Sequence, residues 1–270
     1  QAKLCESSGE AQSAIETYEQ ILDLSLEKAA VEALVRLYGA AERWDDLVAL
    51  YERQIGAGPS DEEKAGLHHA LGRVASVHLS DYDRAFGEYE AALKLDPQHP
   101  ETVASLEALM QEGHRDPASG GPGYAAQAAE MLESVYLAKL DWRRVMATLD
   151  ARLAVSQDPD ERRHLLRCLA KLHEEQEENY AAALETTAKL LTEDVTDEAT
   201  WHELERLARV ANAEGRLAEI YAGELAKVTA DEPATAQLAR RTGELFEAQK
   251  QGDRALEFYR RAYAFAPEES

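Results

Sequence analysis

The residue types that could do chemistry fall in a few places. The stretch GGPGY, Gly120 to Tyr124, has the glycines of a phosphate cradle, but no Lys-Ser/Thr follows it and no strand leads into it. HEEQEEN at His173 lacks the second histidine, four residues on, that a zinc-binding helix requires. His164 and Cys168 are four apart and share a helix face, the geometric minimum for two metal ligands. No second pair lies nearby, so a packed cysteine beside a surface histidine is the plainer reading. His68 and His69 are adjacent and face different ways on a helix. The carboxylates are scattered, and none forms a paired acid–base signature. No nucleophile elbow, HExxH or CxxC occurs. The residues therefore read as a chain that is not an enzyme, with no catalytic, cofactor or metal site.

Composition narrows the partners. At 270 residues and 45% hydrophobic content the chain can bury a substantial core. Fifty-two acidic against 29 basic residues give a formal charge of −23, which opposes attraction to nucleic acid and to anionic lipid. No window holds the roughly 18 uninterrupted apolar residues of a spanning helix, so neither nucleic-acid binding nor direct membrane insertion is expected. Two distant cysteines, Cys5 and Cys168, are no disulfide framework. The opening QAKLCESSGEAQSA has no basic-then-apolar leader and no initiator Met, so the chain reads as a piece of something longer. The compartment stays open, with the cytoplasm favoured and an upstream signal peptide as the alternative.

The elements that must carry any site are helices. Eight prolines, few β-branched runs and apolar residues at three- and four-residue spacing argue for helix nearly throughout. In DRALEFYRRAYAF the residues Ala255, Leu256, Phe258, Tyr259, Ala262 and Tyr263 form one such stripe. Four segments align on Ala14, Ala85, Ala183 and Ala255, with separations of 71, 98 and 72 residues. A second series, aligned on Leu47, Val145 and Leu217, interleaves with the first. The long unit is thus two helical hairpins of about 34 to 37 residues each.

This pattern resembles the tetratricopeptide repeat family, whose motif W-x2-L-G-x2-Y…A-x3-F…P spans two helices, A and B. DYDRAFGEYEAALKLDPQHP carries it best, with Ala85 and Ala92 as the small residues, Tyr89 as the aromatic and Pro97 as the terminator. Ala255, Tyr259, Ala262 and Pro267 repeat the set, Trp201 and Leu204 fit the opening of a helix A, and Leu34 and Tyr38 its centre. Leu47, Val145 and Leu217 stand where the small Ala belongs, which marks a divergent, bacterial-type array with wider helix spacing in those units. The resemblance implies an all-α, right-handed α-α superhelical solenoid of about seven hairpins, the first truncated in helix A. It also implies apolar ends that expose core surface, with Phe258, Tyr259 and Phe265 lacking a following helix to pack on. Trp44 and Trp142 both open a helix B, six residues after Tyr38 and Tyr136, a register that packing explains better than an aromatic binding box.

The family's ligand contacts come mainly from the A helices, two residues either side of the central Leu. Carried over, this names Glu32 and Arg36, His69 and Arg73, Glu130 and Ser134, Arg167 and Lys171, His202 and Arg206, Arg240 and Glu244, with Arg209 one turn beyond. The basic members, Arg36, His69, Arg73, Arg167, Lys171, His202, Arg206, Arg209 and Arg240, imply a groove for a protein or peptide partner with acidic groups. Ordinary helix ion pairs are the alternative, since Glu32 to Arg36 and Glu205 to Arg209 are i to i+4 couples of favourable order.

One break interrupts the array. Tyr124 to Leu140 aligns without a gap on the helix A around Leu34, yet Pro100 to Met110 aligns without a gap on Glu198 to Ala208, so two helices between 100 and 140 compete for one slot. The expectation is a single solenoid over 1–270 whose sub-blocks, 1–112 and 124–270, are joined by the Gly/Pro-rich loop 113–123 as a kink or flexible joint. The other outcome is an extra helix that packs into the groove. Three functions follow: an interaction scaffold, a spacer or assembly subunit stacking end to end through uncapped repeats, or a regulatory region of a larger enzyme.

Overall fold

The computed structural model describes residues 11–24, 27–112, 123–228 and 233–265, and all regular structure among them is helical. In order the helices are α1 (Ala11–Leu24), α2 (Lys28–Ala40), α3 (Trp44–Gly56), α4 (Asp61–Val74), α5 (Tyr82–Leu95), α6 (Pro100–Glu112) and α7 (Tyr124–Lys139). They continue as α8 (Trp142–Val155), α9 (Pro159–Glu175), α10 (Tyr180–Glu193), α11 (Glu198–Ala211), α12 (Glu214–Lys227), α13 (Pro233–Ala248) and α14 (Gly252–Phe265). A five-residue π-helical turn, Ala75–Leu79, extends α4. The even-numbered A helices α2 and α4 and the odd-numbered α7, α9, α11 and α13 are each followed by a B helix. The parity changes at α6, the extra helix expected from the duplicate alignment.

Each reversal from helix A to helix B turns on one residue in the left-handed region: Glu42, Ser80, Leu140, Glu178, Asn212 and Lys250, with φ between 51° and 62°. The next residue closes the turn by donating its N–H back to the end of helix A. Arg43 bonds Tyr38, Asp141 bonds Tyr136, Ala213 bonds Ala208 and Gln251 bonds Phe246, all at 2.8–3.0 Å. This is the left-handed helix stop that satisfies otherwise orphaned carbonyls. Helix B then starts at once. The side chains of Asp81, Asp141 and Asn179 accept from the amides of Arg84, Arg144 and Ala182.

The chain forms two compact units, residues 1–119 with 123–135, and residues 136–270 with 120–122, so the division falls inside α7. Residues 113–122, where the sequence places a joint, lie outside the described residues. In the first unit α1 to α5 pack in chain order and α6 packs on both α4 and α5. Tyr124, opening α7, stacks on Tyr82 and Phe86 of α5 with ring centroids 4.4 Å and 5.6 Å apart. In the second unit α8 to α14 pack in order and α10 also meets α12.

The repeat register is borne out by burial. Ala14, Ala85, Ala183 and Ala255 are buried, and so are Leu47, Val145 and Leu217 at the equivalent point of the other series. Trp44 and Trp142 are the first residues of α3 and α8, half-buried, and Trp44 stacks on His78 at 3.6 Å. The C-terminal stripe needs correcting. Phe258 is buried against Phe246, 5.5 Å between centroids, and the Tyr259 hydroxyl donates to Glu247 at 2.7 Å, so both find partners behind them. Leu256 and Tyr263 are the members left exposed, and the Phe265 side chain lies outside the described residues.

Helix A comes close to the facing tyrosine of helix B at two glycines. A Cβ on Gly72 would lie 2.5 Å from the Tyr89 ring, and one on Gly243 would lie 2.6 Å from Tyr259. The first pair is one residue further apart in sequence than the second, and the π turn between Gly72 and Tyr89 absorbs that residue. The Tyr89 ring has little freedom to yield, being buried with its hydroxyl 3.2 Å from Ser76.

A buried polar cluster fastens α6 to α4. His69 Nε2 lies 3.1 Å from Ser105 Oγ, its ring is 5.5 Å from that of His99, and His99 Nδ1 meets Thr102 at 2.9 Å to cap α6. Burial, then the neighbouring His99 and Arg73, hold the His69 imidazole below its ordinary value of 6.5, against a small opposing pull from Glu101. The unfolded chain therefore takes up this proton first. The stability His69 contributes is present above pH 6.5 and is lost as pH falls toward the folded value.

Two outcomes follow. Gly72→Ala should destabilise the protein by about 1–2 kcal/mol in urea unfolding, because overpacking outweighs the roughly 1 kcal/mol helix gain of alanine. Gly66→Ala, in the same helix with nothing within 4 Å of the added Cβ, should instead stabilise it. Across pH 7 to 5 the urea midpoint should fall further for the wild type than for His69→Gln, which keeps a hydrogen-bonding side chain but no titration.

Candidate partner-binding face

The nine basic residues picked from the A helices do not share one environment. In the first unit Arg36 on α2 and Arg73 on α4 are exposed, whereas His69 is only 8% exposed and belongs to the buried cluster with Ser105. His69 therefore faces α6 and not solvent. The cause is the extra helix: α6 covers the part of α4 that a regular array would leave open.

In the second unit the remaining six, Arg167 and Lys171 on α9, His202, Arg206 and Arg209 on α11, and Arg240 on α13, are all exposed. Their electrostatics differ. Arg206 is fully engaged, with Nη1 and Nη2 on the two Glu174 oxygens at 2.8 and 2.6 Å and Nη2 on Glu203 at 2.6 Å. These bonds hold the Arg206 guanidinium above its usual range, and they pull the Glu174 carboxyl below its own. Arg167, Lys171 and Arg240 have looser partners, Asp197 at 3.8 Å, Glu175 at 3.8 Å and Glu244 at 3.9 Å. Arg209 forms no ion pair among the described residues, and its i to i+4 couple with Glu205 is not made. Glu205 is instead taken by Arg241, whose guanidinium also lies 5.5 Å from the centre of the Trp201 ring.

Two clefts open on this face. One, of about 370 Å³, lies between α9 and α11 over α10, with Arg167 and Lys171 on one side and Asp197 and Glu203 on the other. The second, of about 480 Å³, lies between α11 and α13 and is lined by Arg209, Arg240 and Arg241 together with Glu205, Glu244 and Leu245. Arg241 is the contributor that position counting missed. It is the neighbour of a counted position, and only its reach to a glutamate on the previous helix A shows where it points.

Elsewhere Cys168 Sγ and His164 Nε2 do come together, at 3.6 Å. Among the described residues no group of three or more His, Cys, Asp or Glu side chains could hold a metal ion. Among the same residues no helix is long and apolar enough to cross a membrane.

The model of the tetratricopeptide repeat family matches residues 29–65, which take in α2, α3 and the start of α4. No curated protein matches the sequence. Solved structures that are similar in fold include the TPR2AB domain of yeast Sti1 in complex with a pHSP90, 13% identical over 97% of this chain and 95% of that one, with a TM-score of 0.35. A tetratricopeptide repeat protein from Parabacteroides merdae is 15% identical over 99% and 91%, with a TM-score of 0.31. YrrB, described as a TPR protein with an unusual peptide-binding site, is 15% identical over 81% and 93%, with a TM-score of 0.28. The family match on α2–α3 and the same helix–turn–helix unit recurring through the second unit make the repeats of this chain similar to those of the tetratricopeptide repeat family.

Proposed function

We propose that the chain is a protein-interaction scaffold that holds an extended, partly acidic segment of a partner against the A helices of its C-terminal unit. One observation carries this reading: Arg167 and Lys171 stand exposed, one turn apart, beside a cleft, with their nearest carboxylates only at 3.8 Å. Loosely paired cations keep donors available for an acidic ligand, whereas Arg206 has already committed its donors to Glu174 and Glu203. The α11–α13 cleft adds Arg209 in the same sense. Exposed pairs of this kind contribute little to stability, about 0–1 kcal/mol, so these side chains can exchange partners cheaply.

Affinity capture with the double variant Arg167→Glu, Lys171→Glu and with Arg209→Glu tests the proposal. Partner recovery should drop by about tenfold or more for the double variant, and wild-type binding should weaken with added salt. Unchanged recovery would leave the basic residues as ordinary surface charges. A second reading, end-to-end association, draws on the exposed Leu256 and Tyr263 of α14. Light scattering separates it: a mass that rises with concentration and returns to the monomer value in Leu256→Glu, Tyr263→Glu supports stacking.

A further inference from the structure

The α9–α11 cleft has an unexplained floor. Thr187, from the B helix α10, is 2% exposed and lines it, and the Thr187 hydroxyl oxygen has no hydrogen-bond partner among the described residues. A helical threonine ordinarily bonds the carbonyl one turn back, as Thr242 does to Leu238 at 2.7 Å and Thr148 to Val145 at 2.7 Å. A buried hydroxyl without a partner is costly, and it costs more than a valine of the same shape would in that place. Ala170, Ala199 and Leu207 share the lining with it, as do the cations Arg167 and Lys171.

We infer that this cleft is a side-chain pocket for a carboxamide, Gln or Asn, of the bound peptide, with Thr187 as its floor contact. The inference rests on the scaffold reading above and adds what that reading leaves open, the residue type admitted. The hydroxyl both donates and accepts, and a carboxamide offers the matching acceptor and donor. A carboxylate taken to the floor would exchange its water shell for one buried hydroxyl donor. Four carboxylates also line the cleft, Glu174, Glu175, Asp197 and Glu203, against two cations, so an anion is disfavoured at depth. The oxygen is buried in the free protein, so the contact requires a χ1 turn that exchanges hydroxyl for methyl on binding.

The test uses the full chain, labelled with 15N, and four acetylated, amidated pentapeptides of alanine with a central Gln, Glu, Leu or Lys. The Gln peptide should shift the amide resonances of Thr187, Ala170 and Ala199, and bind about tenfold tighter than the Leu peptide, the scale of one good hydrogen bond. Thr187→Val should abolish that preference while the thermal midpoint stays level or rises, and Thr187→Ser should retain it. A preference for Glu, equal binding of Leu, or an unchanged preference in Thr187→Val would overturn the inference. If peptides shift resonances of α11 and α13 but leave Thr187 unmoved, the pocket falls and the scaffold stands. If no resonance on any A helix moves, both fall.

Discussion

Among the described residues every reversal from helix A to helix B turns on one residue held in the left-handed backbone region, and the hairpin's geometry depends on that constraint. An L-residue there costs about 1–2 kcal/mol, and glycine would avoid most of it. None of the six is glycine. The cost is offset by what the conformation permits: the following amide reaches back to the end of helix A, helix B starts at once, and the two helices leave the turn close enough to share a core. A helical hairpin cannot bury its apolar face alone, so the return angle also sets how each hairpin meets the next. In the second unit that shared core runs from Ala183 through Trp201, Tyr221 and Phe246 to Phe258.

The acidic surface is organised by the same repetition. Several arginines reach a glutamate about one hairpin earlier: Arg84 to Glu52, Arg216 to Glu185, Arg254 to Glu219 and Arg206 to Glu174. In a chain of charge −23 these cations stitch neighbouring hairpins together and are not free for ligands. The cations left loosely paired or unpaired among the described residues on the C-terminal A helices are Arg167, Lys171, Arg240 and Arg209. Net charge opposes nucleic acid and anionic lipid as partners, and it says nothing of how the cations are distributed.

The extra helix shows how one insertion changes a surface without changing the repeat. By covering α4, α6 turns His69 from a groove position into part of a buried polar cluster with Ser105, His99 and Thr102. The family's position rule is local, counting along one helix, and it has no way to register that a second helix has been laid over the first. Arg241 was passed over for the same reason, since its role depends on Glu205 and Trp201 from the preceding A helix.

The repeat period, the buried alanine register and the presence of a surplus helix were legible in the amino-acid order. They rest on periodic burial of apolar side chains and on short-range turn chemistry, and both leave marks within a few residues of each other in the chain. Which charges pair, which glycines face a tyrosine ring and whether Phe258 finds a partner were settled only by packing. Those outcomes depend on contacts some 12 to 36 residues apart in sequence, as in Tyr259 with Glu247 and Arg241 with Glu205. At such separations the direction of a side chain follows from the angle between two helices, and no spacing within either helix encodes it.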